Sequence, residues 1–127
     1  MGGNTTGFQK TFVFRETEDH KTIGMYQAVT FGTGEKEVIV PSVDNAKPVG
    51  VVTYQHEERD GAHVAVQLDR ISEVKAAEAI AYGDKVIIGA GGTVKKATGT
   101  GDNILGVAYS TAQTGEMVQV LIAPQFA

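Results

Sequence analysis

The stretch Gly83-Asp-Lys-Val-Ile-Ile-Gly89, followed by Ile104-Leu-Gly-Val-Ala108 and Val118-Gln-Val-Leu-Ile122, decides the fold of this chain. Each segment is short and rich in aliphatic residues, and glycine-rich turns separate the three. In the third segment valine and isoleucine occupy alternate positions, which is the period of two that a strand requires. The stretch therefore predicts three short β-strands.

The same pattern occurs earlier in the chain, because residues 48–68 resemble residues 104–122. A solenoid needs three or more repeats, so two copies indicate a duplicated β-unit that closes on itself as one barrel or sandwich. Chance similarity between two glycine-punctuated hairpins is the alternative. The matching glycines are Gly50 with Gly106, 56 residues apart, and Gly61 with Gly115, 54 residues apart.

Length and composition restrict the class of protein. At 127 residues, 42% of them hydrophobic, the chain is expected to form one domain with a single core. The absence of cysteine excludes disulfides, a thiol nucleophile and a thiolate metal site. The net charge of −4 and the scattered basic residues argue against nucleic acid as a partner. No segment approaches ~18 consecutive apolar residues and no apolar leader is present, so we expect neither a membrane span nor a secretory signal.

The first twenty residues differ from the rest. The residues before Phe8 are small and polar and are expected to be disordered. Phe8, Phe12 and Phe14 then place apolar bulk at even positions. Two interpretations remain open: these phenylalanines fill the domain's own core as a first strand, or they form an arm that contacts a neighbouring subunit or partner. We divide the chain into an N-terminal arm, 1–20, and a single β-barrel-like domain, 21–127.

The middle of the chain predicts two further strands and one helix. Residues 22–31 and 37–40 carry the apolar residues of strands, and Pro41 stops the second. The segment from Ser72 to Ala81 predicts a helix, because Ser72 suits an N-cap and four alanines follow it. This helix is expected to cover one end of a barrel.

Residues that could carry catalysis are scarce. His56 and His63 flank two glutamates, but their spacing does not match a metal site and the segment reads as a polar loop. The run Gly89-Ala-Gly-Gly-Thr93 lacks the lysine and hydroxyl residue of a phosphate-binding loop. We therefore expect no enzyme activity, no cofactor and no metal.

The order of predicted helix, Gly83-Asp-Lys-Val86, Ile104-Leu-Gly-Val-Ala108 and Gly115-Glu-Met-Val-Gln-Val120 resembles the head decoration, or capsid cement, proteins of tailed bacteriophages. The likeness is clearest over residues 72–122 and weaker over 23–68. It implies a small β-barrel protein with a flexible N-terminal segment. Pattern and resemblance together predict a mainly β fold: a small β-barrel or β-sandwich with one short helix and a flexible N-terminal arm.

The resemblance also implies a structural protein that binds the outside of the assembled phage head and stabilises it. Its partners would be the major capsid protein and further copies of the chain, as a homotrimer at local three-fold positions. Such a protein is made in the host cytoplasm and resides on the exterior of the head. The contact residues we expect are Phe8, Phe12 and Phe14.

Two other functions remain open. One is a different virion β-module, such as the base of a head fibre, which forms oligomers without covering the whole lattice. The other is a small-ligand-binding barrel, which requires a concave site with convergent polar groups.

Overall fold

A computed structural model describes residues 9–55, 57–99 and 101–125 of the chain. The described residues form ten β-strands and no helix, so the predicted β class is confirmed. The strands are β1 (Gln9–Phe14), β2 (Ala28–Phe31), β3 (Glu37–Ile39), β4 (Pro48–Gln55), β5 (His63–Gln67), β6 (Arg70–Lys75), β7 (Lys85–Gly89), β8 (Thr93–Lys96), β9 (Ile104–Ala108) and β10 (Met117–Gln125).

The first five strands form a closed barrel in the order β1-β3-β2-β4-β5. Neighbouring strands are antiparallel except β1 and β3, which run parallel with Phe14 beside Val38. Pairing of β1 with β5 closes the barrel and places Phe12 beside Val64. We call residues 9–69 the first half.

The last five strands, in residues 70–125, form a sheet in the order β6-β10-β9-β7-β8, and we call them the second half. Its two outer strands are β6 and β8, and Ala76, the residue after β6, forms one parallel bridge with Val94 of β8. This bridge is the counterpart of the pair formed by Phe14 and Val38. Each other strand pair of the first half also has a counterpart with the same direction. The chain is therefore a tandem duplication of one five-stranded unit.

Two glycines show how closely the halves correspond. Gly50 on β4 and Gly106 on β9 occupy the same place in the pairing register. A Cβ on either residue would collide with a carbonyl oxygen of the adjacent strand, that of Gln67 or Leu121, so only glycine fits. The predicted repeat is confirmed and extends to all five strands. The prediction was one barrel or sandwich built from both copies; instead each copy pairs with itself, and the first five strands close into a barrel while the last five form a separate sheet.

The prediction of a helix over residues 72–81 is also wrong. The first part of this segment belongs to β6, which pairs along its length with β10. Ser72, Val74 and Ala76 are buried, while the residues between them are exposed. This alternation has the period of a strand, and the pairing with β10 overrides the helix propensity of the alanines.

Two clusters of buried side chains replace the single core expected from chain length. Each half is associated with its own cluster of buried side chains. The core of the first half comprises Phe14, Ile23, Val29, Val38, Val40, Val49, Val52, Val64 and Val66. The core of the second half comprises Ala28, Val51, Val74, Ala76, Ile80, Val86, Ile88, Val94, Leu105, Ala108, Ala112, Val118, Val120 and Ile122.

A short connection and a tight interface join the halves. Only Leu68 and Asp69 lie between β5 and β6. Ala28 and Val51 belong to the first half by sequence, yet both are 0% exposed and belong to the core of the second half. One surface of the first barrel therefore packs onto the second half.

Hydrogen bonds to backbone carbonyls of the second half hold this interface. The N–H of Ala28 donates to the carbonyl of Gly92 at 2.8 Å, and Nε2 of Gln27 donates to the carbonyl of Gly91 at 3.1 Å. A Cβ on Gly92 would lie 2.9 Å from the carbonyl oxygen of Ala28, so this approach requires glycine. We call the surface formed by Gln27, Ala28 and Val51 the lateral face of the first half.

The range assigned to an N-terminal arm, 1–20, contributes a strand to the barrel. β1 pairs with β5 on one side and with β3 on the other. Residues 1–8, including Phe8, lie outside the described residues. The flexible arm therefore stays a prediction for them.

Candidate interaction surface

One end of the first barrel is an apolar cleft of about 690 Å³. Phe12, Phe31, Val49 and Leu68 line it, and we call this surface the open end. Phe31 is 52% exposed, whereas Val49 is 7% exposed and the other two are half-buried. A concave, partly exposed apolar surface of this kind is typical of a site that binds a partner.

Four of the five barrel strands bring these side chains together. Phe12 lies in β1 and Phe31 ends β2, while Val49 is the second residue of β4 and Leu68 follows β5 directly. Because the strands are neighbours in a closed barrel, their ends converge around one mouth. Pro124, near the end of β10, adds apolar surface from the second half.

The corresponding end of the second half is covered. Ile88 is 0% exposed, whereas its counterpart Phe31 is 52% exposed. The cover is the lateral face of the first half, since Ala28 and Val51 share one buried cluster with Ile88. Within the described part of the chain, no second lateral face lies over the open end. The four buried counterparts of the open-end residues are Val74, Ile88, Leu105 and Ile122.

Charges of both signs surround the open end. Nε of Arg15 donates to the Glu37 carboxylate at 2.9 Å, and Glu37 also accepts from the N–H of Gly34 at 3.0 Å. These two hydrogen bonds, the one from Arg15 foremost, lower the pKa of Glu37 below its ordinary value. The ammonium of Lys10 lies 5.8 Å from the centroid of the Phe12 ring, a cation–π distance. The charged residues that line the cleft are Lys10, Glu35, Lys36 and Glu37.

The three phenylalanines predicted as contact residues lie in different places. Phe12 lines the open end. Phe14 is 0% exposed in the core of the first half, so its side chain presents no surface to a partner in this fold. Phe8 lies outside the described residues. Phe31 was not predicted, although extending the repeat towards the start of each copy would have matched it with Ile88.

Further exposed aromatic residues lie away from the open end. Tyr82 and Tyr109 form an edge-to-face pair with ring centroids 6.2 Å apart, and Tyr82 is 69% exposed. A more polar groove of about 830 Å³ also opens at the surface, lined by residues of both halves that include Tyr26, Arg70 and Glu73. Neither feature brings together large apolar side chains as the open end does with Phe12, Phe31 and Leu68.

The described residues contain neither a cluster that could hold a metal ion nor a helix that could cross a membrane. No three His, Cys, Asp or Glu side chains among them form such a cluster. His63 is exposed on β5, and His56 lies outside the described residues. No helix in this part of the chain is long and apolar enough to span a bilayer.

Comparison with known proteins gives a match of fold. No protein-family model matches the chain, and no curated protein sequence matches it significantly. A solved structure is similar to it: the N base of head fibre protein gp8.5 in bacteriophage phi29, with a TM-score of 0.68 and 20% sequence identity. The match covers 91% of this chain and 95% of that chain. The chain therefore shares its overall fold with this head fibre base.

Proposed function

We propose that the chain is a non-enzymatic structural protein of a bacteriophage virion, and that it attaches to the head as the base of a head fibre. The observation that carries this proposal is the similarity to the phi29 head fibre N base over 91% of the chain. A match of this extent includes both halves and their junction. It is therefore more specific than a likeness between two small barrels.

A second candidate is the decoration role, in which the protein covers the head and stabilises it. The sequence resemblance over residues 72–122 favours this role, while the structural match favours the fibre base. Both roles place the chain on the exterior of the head with the major capsid protein as a partner. Both are compatible with a homotrimer at local three-fold positions.

The open end is the surface that best suits contact with the head. It is apolar and concave, and side chains of both signs around it can pair with charges on a partner. Specific interfaces bury roughly 800 Å² on each partner, and a cleft of this kind can form the centre of one. Phe12 is the predicted contact residue that lies there. We propose that Phe12 and Phe31 contact the major capsid protein.

The test is co-sedimentation of the purified protein with expanded, undecorated heads of the matching phage, with copies counted by gel. We expect saturable binding at a fixed ratio to the major capsid protein. A ratio that fills all local three-fold positions indicates decoration, and a lower fixed ratio indicates a fibre base. Absence of binding by the folded protein contradicts both roles.

A matched pair of variants locates the contact. Phe31→Ser should weaken head binding at least about tenfold, because it places a hydroxyl in the apolar cleft. Tyr82→Ser removes an aromatic residue of greater exposure away from the cleft and should leave binding unchanged. Equal binding by both variants would show that the open end is not the contact surface.

A further inference from the structure

The contact between the halves is one-sided, because the lateral face of the first half covers an end of the second half. The second half has a lateral face of its own, formed by Asp84, Lys85 and Val107, the counterparts of Gln27, Ala28 and Val51. The first half has an end of its own, which is the open end. A one-sided contact of this kind can repeat from molecule to molecule and produce rings or filaments.

Lys36 opposes such repetition through its backbone position. Val38 and Val94 occupy equivalent positions, so the residues two places before them, Lys36 and Gly92, are also equivalent. Both have positive φ, 63° at Lys36 and 81° at Gly92. A Cβ at Gly92 would lie 2.9 Å from the carbonyl oxygen of Ala28. Lys36 carries a Cβ, so a lateral face cannot approach the open end as closely as it approaches the second half.

Charge opposes repetition as well. Lys85 is exposed and stands where the first half has the small, buried Ala28. In the same arrangement Lys85 would face Lys36 of the next molecule, and Asp84 would face Glu35. Like charges brought together at an interface are unfavourable. The equivalent contacts between the two halves, Ala28 with Gly92 and Gln27 with Gly91, involve no charged side chain.

The backbone acceptor is also used differently. The Gly92 carbonyl accepts a hydrogen bond across the interface from the N–H of Ala28 at 2.8 Å. The carbonyl of Lys36 instead accepts from the N–H of Val13 at 2.7 Å, within the first barrel. At the open end, the equivalent carbonyl therefore already accepts a hydrogen bond from its own barrel.

We infer that Lys36 and Lys85 prevent the lateral face of the second half of one molecule from binding the open end of another. The open end therefore stays accessible to a different partner. The inference deepens the proposed function, since a head-binding surface must not be covered by another copy. Its evidence is the duplicated fold and not the attachment to a head. The two proposals can therefore fail separately.

The test is the double variant Lys36→Gly with Lys85→Ala, followed by sedimentation velocity over a range of concentrations. Glycine suits the positive φ at position 36, and position 85 is exposed, so the variant is expected to fold. We expect it to form larger species than the wild-type protein as concentration rises, with an association constant at least about tenfold greater. Circular dichroism checks the fold.

Two control variants make the result specific. Lys36→Asn with Lys85→Ala removes the same two charges but keeps a Cβ, and asparagine tolerates positive φ, so this protein should associate more weakly than the glycine variant. Adding Phe31→Ser to the glycine variant should reverse its association, because the contact uses the open end.

Three results would overturn the inference. They are a folded glycine variant that sediments as the wild type does, equal association in the asparagine control, and association that persists after Phe31→Ser. Head binding is not part of this assay, so the proposed function is decided by co-sedimentation alone.

Discussion

The two halves of the chain share one topology but use the same positions differently. Ile88 in the second half lies in a core, and its counterpart Phe31 in the first half lies at a surface. The cause is the lateral face of the first half, which covers one end and leaves the other. The comparison teaches that in a duplicated protein the role of an apolar position is set by the packing of the two copies as much as by its own strand.

The halves also differ in how their outer strands meet. β1 and β3 pair at two positions, whereas the second half has a single bridge there, between Val94 of β8 and Ala76, the residue after β6. In the second half the Gly92 carbonyl bonds to Ala28 of the first half, while its counterpart in the first half bonds within its own barrel. At this position the second half therefore hydrogen-bonds to the first half, whereas the first half hydrogen-bonds within its own barrel.

The largest effect is expected from a change that breaks the register shared by both halves. Gly106→Ala should destabilise the protein by about 4 kcal/mol or more, because its Cβ would collide with the carbonyl of Leu121. Gly50→Ala should act similarly in the first half. Gly99→Ala is the control, since a Cβ there meets nothing within 4 Å. Urea unfolding measures all three, and a stable Gly106→Ala variant would contradict the assigned register.

A smaller effect should separate the covered end from the open end. Ile88→Ala should cost about 3 kcal/mol, because it leaves a cavity in the core of the second half. Phe31→Ala removes a larger side chain but should cost under about 1 kcal/mol, because that side chain is 52% exposed. Thermal and urea unfolding of the two variants provide the comparison. Equal losses would show that the open end is as well packed as its counterpart.

The smallest effect concerns an ionic contact between the halves. Asp44 accepts from the N–H of Ala90 at 3.0 Å and from Nζ of Lys95 at 2.9 Å. The bond from Ala90 foremost, and then Lys95, lowers the pKa of Asp44. A carboxyl whose pKa is lowered by folding stabilises the protein above its unfolded pKa of about 3.9, and this contribution is lost as pH falls through the lower, folded value.

The size of this effect is limited by solvent, since the Asp44 side chain is 47% exposed. We expect a few tenths of a kcal/mol. Asp44→Asn keeps an acceptor for Ala90 but removes the charge, so its unfolding free energy should fall less than that of the wild type between pH 5 and pH 3. Urea unfolding at both pH values tests this. A wild type and variant that lose stability in parallel would exclude a role for the Asp44 charge.

Local patterns predicted much of the strand structure. The segment 104–108 is a strand with the predicted bounds, and the strands predicted around Val86 and Val118 are present. Each combines β-branched residues with glycine turns, so the local signal is sufficient. The longer strand expected over 22–31 is present only from Ala28, because Tyr26 has a positive φ of 68° and interrupts the extended chain.

The failures lie where distant residues decide. Helix propensity misleads between Ser72 and Ala81, because pairing with β10 makes the strand and no local signal reveals that pairing. The open end could not be predicted from Phe31 and Ile88 themselves, since both are large apolar residues in equivalent strands. Their difference arises from the position of one half on the other, which only the three-dimensional structure shows.

The two-residue connection between β5 and β6 has a consequence for the strength of the contact it joins. A tether this short holds the halves at a high effective concentration and costs little loop entropy. The interface needs only a weak intrinsic affinity to remain formed within one chain. The corresponding faces that would meet between separate molecules lack this tether, so the lysines at positions 36 and 85 are enough to keep them apart.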